Sequence, residues 1–124
     1  MGLIDTPMLR VLSGSLDVNA FRQRVISSNL ANVDTPGYRT RDIDFHRALT
    51  DAVASSPEQD GNGSGGSTPV ARKLQGLIER PDGNNVSADR EGLLLATTQL
   101  RFSLSAQLAK DEFHKILSAI REGA

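Results

Sequence analysis

Ser28-Asn29-Leu30-Ala31-Asn32-Val33-Asp34-Thr35-Pro36-Gly37-Tyr38 closes a long amphipathic segment and then turns hard. Thr35 precedes a proline and is pushed out of helical geometry. Pro36-Gly37 suits the central pair of a type II turn, where glycine supplies the positive φ. Upstream, Thr6-Pro7 reads as an N-cap and first helical residue, because proline lacks an N–H that would go unsatisfied there anyway. Between these signals Val11, Val18 and Val25 recur every seven residues, and Leu9, Leu12, Leu16, Phe21, Ile26 and Leu30 lie close to the same side. The spacing predicts a helix from about Pro7 to Asn32, with Asp17, Arg22 and Arg24 on the opposite face. Gly14 costs that helix roughly 1 kcal/mol relative to alanine.

A second amphipathic segment ends the sequence. Ser87 or Asp89 caps a helix expected from about Ala88 to Arg121. Leu95, Phe102, Ala106, Ala109, Phe113, Ile116 and Ile120 follow steps of seven, four and three, a stripe suited to helix–helix packing. Leu93, Leu94, Leu100, Leu104, Leu108 and Leu117 lie off that stripe, so the apolar surface is wider than one seam needs and more than one packing neighbour is expected. A three-helix bundle drawing its third helix from the middle is the alternative. Two such terminal helices point to a part that assembles rather than one that performs chemistry.

Between the helices the pattern is weaker. Ile43 and Phe45 alternate with Asp42 and Asp44, which suggests a short extended piece, and a short helix is expected over Phe45 to Ala54. Ser55 to Pro69 is a break, and Gly61 to Ser67 has flexible-linker composition. Val70 to Arg80 fits either a strand or a short helix. Pro81-Asp82-Gly83-Asn84-Asn85 is a dense turn cluster. The chain is therefore divided into an N-terminal assembly helix at 1–33, a turn with a short extended or helical segment at 34–54, a flexible and variable middle at 55–86, and a C-terminal assembly helix at 87–124.

Composition narrows the function classes. The 124 residues hold no Trp, 4% aromatics and 11 Gly. A core so poor in large apolar groups is marginal alone, and association could supply the missing burial. Fourteen basic against 15 acidic residues leave a net charge of −1, with no case for nucleic acid or an anionic membrane surface. No apolar run approaches the roughly 20 residues of a membrane span. Met1 to Arg10 lacks a basic region followed by an apolar stretch, so no cleaved secretory signal is expected.

No catalytic, cofactor or metal site emerges. Without cysteine there is neither thiolate nucleophile nor zinc-thiolate site. His46 and His114 lie in different segments with no ligand spacing around them. Asp42 and Asp44 are expected to be solvated or paired with Arg39 and Arg41. The middle glycine run lacks the Lys-Ser/Thr of a phosphate loop.

Asn29-Leu30-Ala31-Asn32-Val33-Asp34-Thr35-Pro36-Gly37-Tyr38 resembles the Ala-Asn-x-x-Thr-Pro-Gly-Tyr/Phe signature of bacterial flagellar rod and hook proteins. Arg39-Thr40-Arg41-Asp42-Ile43-Asp44-Phe45 is more similar to the proximal-rod type than to the distal rod or hook. Asp82 to Glu91, Gln99-Leu100-Arg101-Phe102 and Lys115 to Ile120 resemble the proximal-rod C-terminal helix. The similarity covers about two-thirds of the chain and leaves out Ser55 to Arg80. Family members commonly carry Met, Asn and Tyr where Gly92, Thr98 and Phe102 stand.

The resemblance implies a mainly α fold, with long N- and C-terminal amphipathic helices packed as a coiled-coil-like hairpin around an irregular, loop-rich middle. It implies a structural subunit of the proximal rod of the flagellar basal body, linking the membrane ring and export gate to the rest of the rod. Its partners would be copies of itself, other rod proteins, and the ring and export-gate components, with no nucleic acid and no membrane insertion. It would leave the cytoplasm through the flagellar type III export apparatus without a cleaved signal peptide. Asn29, Asn32, Thr35, Pro36, Gly37 and Tyr38 would form the assembly turn. Two other classes compete. A cytoplasmic helical adaptor or export chaperone would share the helices but lacks a reason for the Pro-Gly turn. An enzyme such as a peptidoglycan hydrolase needs a placed acid or nucleophile that this chain does not offer.

Overall fold

The computed structural model describes residues 6–54 and 68–123, so the expected linker is outside the described residues except for Thr68 and Pro69. The elements run α1 (Pro7–Ala31), β1 (Arg41–Asp42), α2 (Phe45–Ala54), β2 (Arg72–Lys73) and α3 (Ala88–Glu122). The Thr6 hydroxyl accepts from the Leu9 N–H to cap α1, and the Asn32 N–H closes the other end on Ser28 and Asn29 carbonyls. Ser87, rather than Asp89, caps α3 by accepting from the Arg90 N–H. Asp89 and Glu91 then lie in the first turn of α3, where the helix dipole favours negative charge.

Helix α3 folds back antiparallel on α1. Ser15 Oγ meets Ser105 Oγ at 2.9 Å, and Asn29 Nδ2 donates to Glu91 Oε2 at 3.1 Å. These contacts are fourteen residues apart on each helix, so they fix one register. At 1.5 Å per residue the 35-residue α3 is about 52 Å long and the 25-residue α1 about 37 Å. In this register α3 continues about two and a half turns past the level of Pro7.

Helix α2 leans on α1 and shares a small core with it. Val18, Ile43 and Ala48 are buried together, with Phe21, Phe45, Ala52 and Ala71 packed around them. Asp44 starts α2 by accepting from the Arg47 N–H. Helix α3 touches α2 through its Arg101 guanidinium, 5.4 Å from the Phe45 ring centre. The arrangement is therefore a two-helix hairpin with a short buttress, and the three-helix alternative gives way. Val70 to Arg80 is mostly irregular. Its only regular piece is β2, paired antiparallel with β1 so that Arg41 faces Lys73 and Asp42 faces Arg72.

The seam between α1 and α3 mixes polar and apolar groups: Leu12 and Ile26 are buried on the side of α1 that carries Ser15, Asn19 and Asn29. The buried residues of α3 are Glu91, Thr98 and Ser105, a heptad line facing Ser15, Asn19 and Asn29 of α1. Asn19 donates to Ser15 Oγ at 3.3 Å, while its buried Oδ1 has no partner among the described residues. An unmet buried acceptor costs about 1–3 kcal/mol, so Asn19 serves the register of the seam more than its strength.

The expected packing residues divide around that seam. Val18 is buried, and Phe21, Val25, Leu95, Ala109 and Ile116 are partly buried. Val11, Phe102, Ala106, Phe113 and Ile120 are exposed in the single chain. Leu93, Leu100, Leu104 and Leu108 fall within an arc of about 80° on the side of α3 away from α1.

Gly14 lies where α2 meets α1. A Cβ there would meet Ala52, Leu49 and Val53 at 3.5–3.6 Å, ordinary contact distances. Gly14→Ala should therefore keep the packing and gain helix propensity, raising unfolding stability by about 1 kcal/mol in urea titration. A loss of stability would mean that the α1–α2 contact has no room for a methyl group.

Candidate functional site: a joint between the two ends of the chain

The turn after α1 and the turn before α3 interlock. Thr35 to Tyr38 form a turn closed by the Tyr38 N–H on the Thr35 carbonyl, with Gly37 at φ 74° in the position a type II turn reserves for glycine. Arg80 to Gly83 form another, with Gly83 at φ 84°. The Gly37 N–H donates to the Asp82 carbonyl at 2.9 Å. A Cβ on Gly83 would stand 3.4 Å from the Gly37 Cα, so the turns meet backbone to backbone.

Asn84 ties this contact to the end of α1. Its fully buried side chain donates through Nδ2 toward the carbonyls of Asn32 at 2.9 Å, Val33 at 3.1 Å and Thr35 at 2.8 Å. Two N–H bonds thus serve three acceptors, at the helix end where carbonyls lack intrahelical partners. Its Oδ1 accepts from the Val86 N–H at 2.8 Å. The Arg80 guanidinium also donates to the Val33 carbonyl.

Asn29 does similar service for the strand. Its Oδ1 accepts from the Arg41 N–H at 3.1 Å and its Nδ2 donates to the Arg41 carbonyl at 2.7 Å. The amide thereby stands where a third strand's peptide would lie, on the edge of β1 opposite β2. The Tyr38 hydroxyl donates to the same Oδ1 at 3.2 Å. One residue earlier, Thr40 is held by Asn85: its N–H donates to Asn85 Oδ1 at 2.7 Å and its hydroxyl to the Asn85 carbonyl at 3.1 Å.

A charged chain backs these amides. Arg22 grips Asp42 with two hydrogen bonds of 3.0 and 2.9 Å. Arg90 lies 3.8 Å from the same carboxylate and 2.8 Å from Glu91. Glu91 is fully buried and accepts from Asn29 as well. Two cations and two anions alternate, so burial leaves no charge uncompensated. This corrects two expectations. Arg22 is only 14% exposed and points to Asp42 instead of lying on a solvent face. Asp42 is paired with Arg22 and Arg90 instead of Arg39 or Arg41, because the strand carries it under α1; Arg39 pairs with Glu79 at 3.0 Å.

Of the expected turn residues, Asn29, Asn32, Thr35, Gly37 and Tyr38 meet here, while Pro36 is exposed and shapes the turn. Asn32 and Thr35 bond each other at 3.1 Å. Thr40, Asn84, Asn85 and Glu91 were missed as site residues. For Asn84 and Asn85 the signal was the Asp82-Gly83-Asn84-Asn85 run, whose turn propensity hid the work of the two amides. His46 and His114 are exposed, and among the described residues no group of three or more His, Asp or Glu is placed to hold a metal. No described helix is long and apolar enough to cross a membrane.

Residues 9–39, which hold most of α1 and the first turn, match the family model for flagella basal body rod protein. The chain is 32% identical over 129 residues to the flagellar basal body rod protein FlgB of Escherichia coli, covering 93% of this chain and 94% of that one. It is 30% identical to FlgB of Yersinia enterocolitica over 130 residues, with the same coverage. FlgB of Borrelia hermsii is 32% identical over 121 residues, covering 86% of this chain and 90% of that one.

Asn84→Ala should destabilise the purified chain by about 1–2 kcal/mol in chemical denaturation, since a fully buried amide is lost and the carbonyls of Asn32, Val33 and Thr35 keep only their second donors, the Thr35 N–H, Arg80 and the Tyr38 N–H. Asn84→Asp should cost more, because it turns a carboxylate toward those carbonyls. Equal and small effects would show that the carbonyls do not depend on Asn84.

Proposed function

Since the chain belongs to the FlgB family of flagellar basal body rod proteins, we propose that it is a structural subunit of the proximal rod that joins the membrane ring and export gate to the rest of the rod. It works by assembly and not by catalysis. Its partners are copies of itself, other rod proteins, and the ring and gate components it touches. It travels through the flagellar type III apparatus without a cleaved signal peptide.

One observation carries this reading. The joint locks the two ends of the chain together with polar groups, and α3 then turns apolar groups outward. Leu93 and Leu100 are 70% and 73% exposed, and Leu104, Leu108, Phe113, Leu117 and Ile120 are exposed with them. Monomeric surfaces rarely carry so long an apolar stripe without a partner. Burial of each such side chain contributes about 1.5–3 kcal/mol, so packing beside neighbours in a tube supports a hairpin whose own core is small. The adaptor or chaperone reading is disfavoured because the relatives are rod proteins over nearly their whole length.

Mass spectrometry of purified basal bodies tests this directly. The chain should be present at a fixed ratio to ring subunits; intact rods lacking it, with the chain confined to the cytoplasm, would overturn the reading. Leu100→Asp should leave the stability of the purified chain within about 0.5 kcal/mol, because the position is exposed. It should nevertheless lower rod occupancy at least about tenfold, since a charge would enter an apolar contact. Undiminished occupancy would remove this face of α3 from the assembly.

A further inference from the structure

The ribbon of β1 and β2 has two edges, and only one of them is closed. In an antiparallel pair, residues that exchange backbone bonds alternate with residues whose N–H and C=O point outward. Thr40 and Leu74 stand at a bonded position, through the Leu74 N–H on the Thr40 carbonyl at 2.9 Å. Arg41 and Lys73 come next in the register and therefore turn their backbone groups away from each other. On the β1 side the Asn29 amide takes both groups of Arg41. On the β2 side no described group takes those of Lys73. An outward N–H beside an outward C=O is the complement of one more peptide.

The side chains at that position are both cations. Arg41 and Lys73 are exposed and stand directly opposite each other across the ribbon. Like charges in that arrangement repel. Nearby cations are neutralised: Arg22 and Arg90 by Asp42, Arg39 by Glu79 and Arg80 by Asp82. Neither Arg41 nor Lys73 has a carboxylate within ion-pair distance among the described residues. A lysine alone on a short edge would keep other strands away from it. A second cation opposite adds nothing to that task and costs stability in the free chain. The pair instead fits an anion that arrives from outside.

We propose that the outer edge of β2 receives an extended, carboxylate-bearing segment of a neighbouring protein in the rod. The segment pairs with the Lys73 backbone and sets a carboxylate beside Lys73, on the face that Arg41 and Lys73 share. Its peptide offers a carbonyl to the Lys73 N–H and an N–H to the Lys73 carbonyl, as a third strand would. A phosphate or a lipid headgroup could meet the charge but could not complete the edge. The inference rests on the rod reading and adds a contact of another chemistry, made by strand pairing and charge and separate from the apolar stripe of α3.

A carbodiimide joins a lysine amine to a touching carboxylate through an amide bond, with loss of water. In purified basal bodies it should link Lys73 to an Asp or Glu of another chain, read by mass spectrometry. Lys73→Arg keeps the charge and removes the amine, so rods that contain it should lose the link. In the free full-length chain Lys73 should form no such link, and its amine should acylate at least about tenfold faster than in the rod. Arg41→Glu combined with Lys73→Glu keeps a like-charged pair, so the urea midpoint should not move. That double variant should nevertheless lower rod occupancy about tenfold or more. Equal reactivity of Lys73 in rods and in the free chain would overturn the docking, as would full occupancy by the double variant. A link from Lys73 to a carboxylate of its own chain in the free protein would place the anion within the subunit and overturn it too. Protection of Lys73 in rods without any carboxylate link would replace the segment with a lipid or another anion. Absence of the wild-type chain from intact rods would instead sink the rod reading, and the docking with it.

Discussion

The structure depends on side-chain amides that take the place of missing backbone partners. A helix that ends inside a joint leaves carbonyls without donors, and a two-residue strand leaves an edge unpaired. Asn84 supplies the donors for the end of α1, and Asn29 supplies the peptide-like edge for Arg41. These residues come from opposite halves of the sequence. Satisfying the backbone thus forces the two halves together before any large core is needed.

That solution fits what the rest of the chain does with its apolar groups. The polar joint and the polar groups of the seam specify one register, while the apolar burial within the chain is confined to a few residues such as Leu12, Val18 and Ile26. Leucines that could have thickened the intrachain seam lie on the far side of α3 instead. A chain with its specificity inside and its apolar surface outside is determined in shape by its own contacts and leaves the stripe on α3 uncovered. The exposed stripe would be a liability in a protein that stayed free in solution. In a family of rod proteins it is the surface through which subunits are expected to meet.

Much of this was legible in the sequence because it rests on local rules. The Thr6-Pro7 start, the Thr35-Pro36-Gly37 stop and the Ser87 cap place both long helices almost to the residue, and the helix Phe45–Ala54 lies where the pattern put it. The hairpin came from family resemblance, which periodicity alone could not supply. What stayed hidden is polar and long-range. Apolar periodicity marks wide faces, so the line Glu91–Thr98–Ser105 against α1 was invisible to it. The grip of Arg22 on Asp42 spans twenty residues and a change of element, and Arg39 and Arg41 were the nearer candidates. Asn84 and Asn85 have the composition of an ordinary turn, and only the approach of the first turn shows what they hold.

Amide hydrogen exchange of the purified full-length chain, followed at Thr40 and Arg41, tests the central claim most directly. Both N–H groups donate to side-chain amides, Asn85 at 2.7 Å and Asn29 at 3.1 Å. If the joint orders the two ends as one unit, these amides should exchange with the same opening free energy as the helical amides around Ile26 and Thr98. Thr40 and Arg41 exchanging at unprotected rates while those helices stay protected would contradict the account: the hairpin would then stand without the joint.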